Sequence, residues 1–256
     1  MKTKIVKKKR FNVARTLVFV LFIYIIVCFL MYLYKEPVKH FYITGNSIVS
    51  DVEIIRSLGL ENYPSYVSIN PSKLEKKLKD NKFIKSVDIS YGLNFKINIK
   101  VEENIPILVL RSTNEVVLSN GVKIDNSREF IGLPILLNST PNEVLNILVD
   151  ELSYIEPGIR YMINDIEYAP SYDSTGRSID DKRFLLSMND KNMVYITAKK
   201  TEVLNEYLNI ISNYKIVNNG TLFLDGTEGR YPFKYASTTE TTTTKKVEEE
   251  VEEDEE

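Results

Sequence analysis

Residues 93–102 read Leu93-Asn-Phe-Lys-Ile-Asn-Ile-Lys-Val-Glu102, with apolar side chains at the odd positions and polar ones at the even positions. Successive side chains of a β-strand point to opposite faces of a sheet. Strict alternation therefore predicts a strand with one face in a hydrophobic core and one face in water. We expect this strand to run from Leu93 to Glu102 and to anchor the first folded domain of the chain.

The residues before this strand predict the rest of that domain. A short strand is expected at 39–44 and another at 83–91, with the turn Gly45-Asn46 after the first. Ser50-Asp-Val-Glu53 is a capping box that opens a helix, and Gly59 is a suitable stop. Asn70-Pro71 marks a second helix start, with Asn as the cap. The expected order is β-α-α-β-β.

Further upstream, the 19 residues from Thr16 to Tyr34 carry no charge and follow seven Lys or Arg residues. A helix of that length crosses a hydrocarbon core of about 30 Å. The positive-inside rule puts the N-terminus in the cytoplasm and the remainder outside. A cleaved signal peptide is the alternative, but bulky residues stand where its small cleavage-site residues belong. The basic N-terminus could also bind nucleic acid or anionic lipid, although membrane insertion already accounts for its charge.

Downstream of Pro106, a second region rich in strands is predicted. A hairpin is expected around Ser119-Asn120-Gly121. Thr140-Pro-Asn-Glu143 is interpreted as a capping box, and Thr201 as the cap of a helix with Leu204, Leu208 and Ile211 on one stripe. Three more strands are expected at 162–168, 183–188 and 193–197, and a closing hairpin at 221–225 and 230–235. The Thr-, Lys- and Glu-rich segment 236–256 is predicted to be a disordered acidic tail.

Composition excludes several kinds of chemistry. The chain has one cysteine, Cys28 in the apolar span, and one histidine, His40. A Ser-His-Asp triad, a Cys-His pair and a zinc site built on His or Cys are therefore not expected in the external part. The net charge is −2, and no extended basic surface for nucleic acid follows from the central part of the sequence. We expect no cofactor, no metal and no catalytic residue.

Several short motifs follow one another along nearly the whole chain. They are Phe41-Tyr-Ile-Thr-Gly-Asn46 before the Ser50 helix, the strand 93–102 with its continuation to Pro106, Leu118-Ser-Asn-Gly-Val-Lys-Ile-Asp125, Gly132-Leu-Pro134 and Leu222-Phe-Leu-Asp225. In this order they resemble the FtsQ/DivIB family of bacterial cell-division proteins. The short cytoplasmic segment and the acidic tail are similar to the Gram-positive, DivIB-like members.

The resemblance implies an α+β fold in which a single-pass transmembrane helix precedes two external domains. The first would be a POTRA-like β-α-α-β-β domain. The second would be a mixed, mainly antiparallel β domain with helices on one side. The expected segments are a basic cytoplasmic segment 1–15, a signal anchor 16–34, the POTRA-like domain 35–104, the β domain 105–235 and the tail 236–256.

The resemblance also implies a function as a non-catalytic scaffold at the division septum. Its partners would be FtsL-like and DivIC/FtsB-like proteins, whose complex regulates the septal peptidoglycan synthase. We expect an extended partner segment to add to the edge of the closing hairpin, because Pro232 cannot donate to a ladder and so favours an edge or a bulge. The candidate partner-binding residues are Leu222, Leu224, Arg230, Tyr231, Phe233 and Tyr235. The alternative is that these aromatic residues close the core of the β domain.

Two other classes of function stay open on the sequence. A cell-wall enzyme could use a carboxylate pair, for which the candidates are Asp165 with Glu167, Asp180 with Asp181, and Asp225 with Glu228. A sensor or export-associated anchor would need a ligand pocket. The lysines at 73, 76, 77, 79 and 82 could meet anionic lipid or wall polymer, and a solvated helix face explains them equally well.

Overall fold

The structure, a computed structural model, describes residues 12–128, 130–216, 219–226 and 231–235. It forms two compact units. One is drawn from Met1–Pro106 and Val117–Ile124, and the other from Ile107–Val116 and Asp125–Glu256. The predicted tail 236–256, and residues 1–11 of the predicted cytoplasmic segment, lie outside the described residues.

Helix α1, Val13–Lys35, contains the predicted span from Thr16 to Tyr34. Its 23 residues reach about 35 Å at about 1.5 Å per residue, enough to cross a bilayer core. The apolar part has a mean hydropathy of 2.8, and none of it is buried inside the protein. A core helix of a soluble protein would be mostly buried. Length, composition and exposure together support one membrane-spanning helix among the described residues.

The first unit has the predicted β-α-α-β-β order. Its elements are β1 (His40–Thr44), α2 (Asp51–Leu58), a short 3₁₀ helix (Tyr66–Ser68), α3 (Pro71–Lys79), β2 (Ile84–Tyr91) and β3 (Lys96–Glu103). Strand β3 is central, with β1 parallel on one side and β2 antiparallel on the other. Side chains from all three strands and both helices share one core, in which Ile54, Leu78, Ile97 and Ile99 are fully buried.

The predicted strand from Leu93 to Glu102 is wrong at its start. Strand β3 begins at Lys96, and Leu93 is 87% exposed. Residues 92–95 instead form the turn that joins β2 to β3, closed by the Gly92 N–H, which donates to the Lys96 carbonyl at 2.8 Å. Asn94 and Phe95 both have a φ of 57°, which no strand residue adopts. Chain reversal between two antiparallel strands therefore overrides the alternating pattern at its first three residues.

The two predicted helix starts in this unit are confirmed. The Ser50 hydroxyl accepts from the Glu53 N–H at 3.2 Å, and the Asn70 side chain accepts from the Lys73 N–H at 3.2 Å. Gly59 ends α2 in the left-handed conformation with a φ of 73°, as its position predicts. These caps fix where both helices begin, and so how they cover the sheet.

Beyond β3 the chain forms a nine-stranded mixed sheet with flanking helices. The elements in chain order are β4 (Pro106–Leu110), β5 (Glu115–Leu118), β6 (Lys123–Asp125), β7 (Ile135–Leu136), α4 (Asn142–Ser153), α5 (Pro157–Arg160), β8 (Ile163–Tyr168), β9 (Ser171–Tyr172), β10 (Ser178–Asp180), β11 (Arg183–Met188), β12 (Met193–Thr197), a 3₁₀ helix (Ala198–Glu206), α6 (Tyr207–Asn213), β13 (Gly220–Phe223) and β14 (Phe233–Tyr235). The strand order is β14-β13-β12-β11-β8-β7-β4-β5-β6, while β9 and β10 form a separate pair.

The sheet is mixed, as the resemblance implies. Strands β4, β7 and β8 are parallel neighbours, as are β12 and β13. The pairs β8–β11, β11–β12 and β13–β14 are antiparallel. Burial alternates along β11 and β12, so one face of the sheet is buried and the other is half-exposed. The three strands predicted at 162–168, 183–188 and 193–197 are confirmed as β8, β11 and β12.

Two predicted helix caps in this part of the chain are wrong. Helix α4 begins at Asn142, one residue later than the Thr140 box requires, and no side chain caps it. Thr201 is the first helical residue after a break in the segment Ala198–Glu206, at Lys200 with a φ of −137°, so the predicted cap is one residue too late. Its buried hydroxyl donates to the Glu151 carboxylate of α4 at 3.3 Å. A tertiary contact to a neighbouring helix has taken the place of the local cap in the case of Thr201.

The apolar stripe predicted for the Thr201 helix is also wrong in part. The buried side chains are Leu204, Tyr207 and Ile210, whereas Leu208 is 52% exposed. The change from a 3₁₀ helix to α6 at Tyr207 shifts the angular position of the later residues, so an α-helical spacing counted from Leu204 selects the wrong face.

Candidate functional site

Strand β14 ends the nine-stranded sheet, and this edge is the candidate binding site. It pairs antiparallel with β13, and the register places Leu222 opposite Phe233, Thr221 opposite Lys234 and Gly220 opposite Tyr235. The predicted closing hairpin is thus confirmed in its two strands, while residues 227–230 of its turn lie outside the described residues. Among the described residues β14 is the last strand of this sheet, so the predicted edge position is found. The N–H that Pro232 lacks would face β13, however, so the residue does not itself mark the outer edge.

The register also determines which backbone groups of β14 face away from β13. The Phe223 N–H donates to the Pro232 carbonyl at 2.9 Å, so this pair bonds across the hairpin. In an antiparallel pair, bonded and non-bonded positions alternate. Lys234 therefore bonds towards β13, and the N–H and C=O groups of Phe233 and Tyr235 point outwards. Pro232 has no N–H to return to Phe223, which explains why the strand begins one residue later.

The predicted site residues divide into a buried and an accessible set. Leu222 and Leu224 are buried in the core. Tyr231 and Phe233 are half-buried, and Tyr235 is 64% exposed. The rings of Phe233 and Tyr235 meet edge to face with centroids 4.9 Å apart. Arg230 lies outside the described residues. The leucines thus fix the hairpin from inside, while the aromatic residues reach the surface.

Gly220 supports the aromatic pair and was missed from the sequence. A Cβ atom added to Gly220 would lie 2.1 Å from Cζ of Phe233 and 2.7 Å from the Lys234 carbonyl oxygen. The Phe233 ring therefore lies directly over the Gly220 backbone. A lone glycine at the start of an apolar strand marks a close approach of this kind, and that pattern could have identified it.

A buried polar network holds the start of β13. The Asn192 side-chain oxygen accepts from the N–H groups of Asn219 and Gly220 at 3.1 and 3.2 Å. Its amide donates to Asp190 at 3.1 Å and to the Tyr207 hydroxyl at 3.2 Å, and that hydroxyl donates to Asp190 at 2.7 Å. Burial, followed by the bond to Asp190, raises the pKa of Tyr207 above its ordinary value, so this phenol stays protonated.

A row of stacked side chains crosses the half-exposed face of the sheet behind this edge. The Arg183 guanidinium lies 3.6 Å from the centroid of the Tyr195 ring, which stacks on Phe223 at 5.2 Å. The Lys234 ammonium lies 5.4 Å from the centroid of Phe223 and completes the row. Arg183 also bonds Asp225 at 2.5 Å, with both side chains mostly shielded from water. These contacts tie β11, β12, β13 and β14 together.

Two of the carboxylates predicted as catalytic candidates are engaged by other groups of the protein. Asp225 is engaged by Arg183, and Asp180 accepts from the Lys182 N–H at 2.8 Å. Asp165 and Glu167 lie on the half-exposed side of β8, and Glu228 lies outside the described residues. The described residues contain no cluster of three or more His, Cys, Asp or Glu side chains able to hold a metal ion.

A groove of about 500 Å³ lies in the first unit, between the end of α2 and helix α3. Three of the five lysines in the predicted cluster, Lys73, Lys76 and Lys77, contribute to its lining together with Leu58 and Leu74. The Lys77 ammonium lies 3.7 Å from the position of a Cβ on Gly59, next to the C-terminus of α2. A cation there is favourable in the field of the helix dipole, so Lys77 has a structural role.

Comparisons with known proteins agree with this architecture. Residues 36–104 match the model of the POTRA domain, FtsQ-type. The cell division protein DivIB of Bacillus subtilis is 29% identical over 232 residues, which cover 88% of this chain and 85% of that protein. DivIB of Bacillus anthracis is 27% identical over 174 residues, covering 64% of this chain and 65% of the relative.

One of the matching solved structures is the major extracytoplasmic domain of the trans isomer of DivIB from Geobacillus stearothermophilus. It is 19% identical with a TM-score of 0.36, and the match covers 44% of this chain and 96% of that one. A score this low carries no argument about the site.

The fold and the comparisons describe a protein that has an apolar N-terminal helix, a POTRA domain and a mixed-sheet domain. Residues 36–104 match the FtsQ-type POTRA domain, and the chain as a whole is similar to the DivIB cell-division proteins.

Proposed function

We propose that this protein is a non-catalytic scaffold that binds an FtsL-like and DivIC/FtsB-like complex outside the membrane at the division septum. Through that complex it would stabilise or regulate septal peptidoglycan synthesis. The outward backbone edge of β14 is the observation that carries this proposal. The segments proposed for this work are the anchor 16–34, the POTRA domain 35–104 and the β domain 105–235.

Strand addition suits this edge because both of its requirements are met. Two residues of β14, Phe233 and Tyr235, direct backbone donors and acceptors away from the sheet, which gives a partner strand its hydrogen bonds. The same two residues carry the aromatic side chains, which are common at energetic hot spots of interfaces. An unprotected edge is a hazard for aggregation, and a resident partner strand would remove it.

Replacing Tyr235 by lysine tests the proposal. Tyr235 is mostly exposed, so Tyr235→Lys should leave the fold intact and weaken binding of the complex. Loss of an aromatic hot spot costs at least about 2 kcal/mol, or more than about tenfold in affinity. The measurement is a titration of the full-length protein, in detergent or nanodiscs, with the purified FtsL/DivIC-type complex. Tyr231→Lys and Phe233→Lys should weaken binding in the same direction.

Tyr172→Lys is the matched control. Tyr172 is 59% exposed, close to the 64% of Tyr235, but lies on the separate pair β9–β10. The Tyr172→Lys variant should bind the complex with the same affinity as the unaltered protein. Unchanged affinity in Tyr231→Lys, Phe233→Lys and Tyr235→Lys would rule out this edge as the binding site.

A further inference from the structure

The direction of the strands places one end of the POTRA domain at the membrane. Four residues separate the end of α1 at Lys35 from the start of β1 at His40, a link that spans at most about 14 Å. Strand β1 therefore starts near the bilayer. Because β3 is parallel to β1, with Lys96 opposite His40, the β2–β3 turn at 92–95 lies at the same end.

A second loop is bonded directly to the end of the membrane helix. The Ser65 hydroxyl donates to the Tyr34 carbonyl. The Tyr66 N–H donates to the Glu36 carbonyl at 3.0 Å, and the Val38 N–H donates to the Pro64 carbonyl at 3.0 Å. The loop at 63–68 is thus held at the level where the chain leaves the bilayer.

The two loops are also bonded to each other. The Tyr66 hydroxyl donates to the Gly92 carbonyl at 2.8 Å, and the Tyr66 and Phe95 rings meet edge to face at 5.4 Å. The Lys39 N–H donates to the Phe95 carbonyl at 2.9 Å. Loop 63–68, turn 92–95 and the linker from α1 therefore form one packed end of the domain.

This end exposes apolar side chains. Leu93 is 87% exposed, Tyr63 is 51% exposed and Val67 is 45% exposed. We call these three residues the apolar tip. Burying a leucine side chain contributes about 1.5–3 kcal/mol, and tyrosine is favoured at membrane–water interfaces. Lys35, Lys39 and Lys96 lie at the same end of the domain, at the end of α1 and at the starts of β1 and β3.

We propose that the apolar tip inserts into the outer surface of the bilayer and docks the POTRA domain on the membrane from which α1 emerges. The occupant of this surface is lipid, because the tip is bonded to the last residues of the membrane helix and faces the side from which that helix comes. Docking would hold the domain in one orientation instead of leaving it free on its linker. The inference does not depend on the partner proposed for β14.

Single tryptophans test the insertion, because the natural chain contains no tryptophan. Leu93→Trp and Val67→Trp report on the two loops of the tip. Val52→Trp is the control, since Val52 is 63% exposed at the start of α2, which follows the far end of β1. Each full-length variant is placed in nanodiscs of phosphatidylcholine with either ordinary or brominated acyl chains, and its fluorescence is recorded.

Both tip variants should emit at shorter wavelength than Val52→Trp and should be quenched by the brominated chains, while Val52→Trp is not. Circular dichroism shows whether either substitution disturbs the fold. If one variant is disturbed, the fluorescence of the other variant alone decides the test. A folded tip variant with the emission and quenching of Val52→Trp would overturn the proposal.

Discussion

At the residue scale, Glu103 is the residue of the Val101-Glu-Glu-Asn-Ile-Pro106 motif with the clearest structural role. Its carboxylate accepts from the N–H groups of Ser47, Ile48 and Val49 at 2.7 to 2.8 Å, and so closes the loop between β1 and α2. Hydrogen bonds to a charged group contribute about 1.5–3 kcal/mol each before solvent screening. We predict that Glu103→Ala lowers the free energy of unfolding of the first unit by at least about 2 kcal/mol, measured by urea denaturation.

Glu102 is the neighbouring control for this prediction. It lies on the exposed face of β3 and pairs with Lys85 at 2.6 Å, with both side chains more than half exposed. Exposed pairs contribute little, so Glu102→Ala should change the free energy of unfolding much less than Glu103→Ala does. Equal effects of the two substitutions would contradict the role given to Glu103.

Gly220 is a second residue whose size the structure restricts. In Gly220→Ala, the new Cβ meets the Phe233 ring and the Lys234 carbonyl, so the hairpin must shift. Overpacking of this kind costs about 1–3 kcal/mol. We expect lower thermal stability and weaker binding of the partner complex. Gly158→Ala is the control, because nothing lies within 4 Å of its added Cβ, and it should leave binding unchanged.

At the scale of elements, the correction of the decisive strand gives a direct test. The alternating pattern puts Leu93 and Ile97 on the same dry face, but the structure exposes Leu93 and buries Ile97 completely. Ile97→Ala should cost about 2–5 kcal/mol of unfolding free energy, and Leu93→Ala less than about 0.5 kcal/mol. Urea denaturation of the two variants in detergent measures both. A large loss of unfolding free energy in Leu93→Ala would contradict the structure and support the predicted strand from Leu93 to Glu102.

The elements that the sequence predicted correctly are those decided by local chemistry. Ser50 and Asn70 cap helices because the residues that they bond are three positions away. The misses depend on distant neighbours. Strand β4 was not expected because Pro106 was interpreted as a break, yet proline is acceptable as the first residue of a strand and Ile107 and Leu108 are fully buried.

The candidate site shows the same division. Pro232 predicted an edge through a local property, its missing N–H, but that N–H would face Phe223 of β13, so the outer edge of β14 follows from the strand order and not from this residue. The bonds from Asn192 to Asn219 and Gly220, and the successive contacts of the stack from Arg183 to Lys234, join residues 11 to 28 positions apart, and no local pattern marks them. The burial of Leu222 and Leu224 likewise follows from the sheet packing, and not from their own strand.

At the scale of the whole molecule, the charge before α1 predicts the orientation in the membrane. Seven Lys or Arg residues precede the apolar span, so the N-terminus should be cytoplasmic. In a Cys28→Ser background, which has no other cysteine, Ser174→Cys should react with a membrane-impermeant maleimide in intact cells and Thr3→Cys should not. The opposite labelling would reverse the topology, and place the β14 edge on the wrong side for external partners.

The central claim is that a partner strand pairs with β14. Hydrogen exchange of the full-length protein, with and without the FtsL/DivIC-type complex, tests it most directly. The amides of Phe233 and Tyr235 face outwards in the free protein and should become strongly protected in the complex, while the Lys234 amide, already directed to β13, should change less. If the complex binds and the exchange of Phe233 and Tyr235 stays the same, the partner docks elsewhere and the account of this edge is wrong.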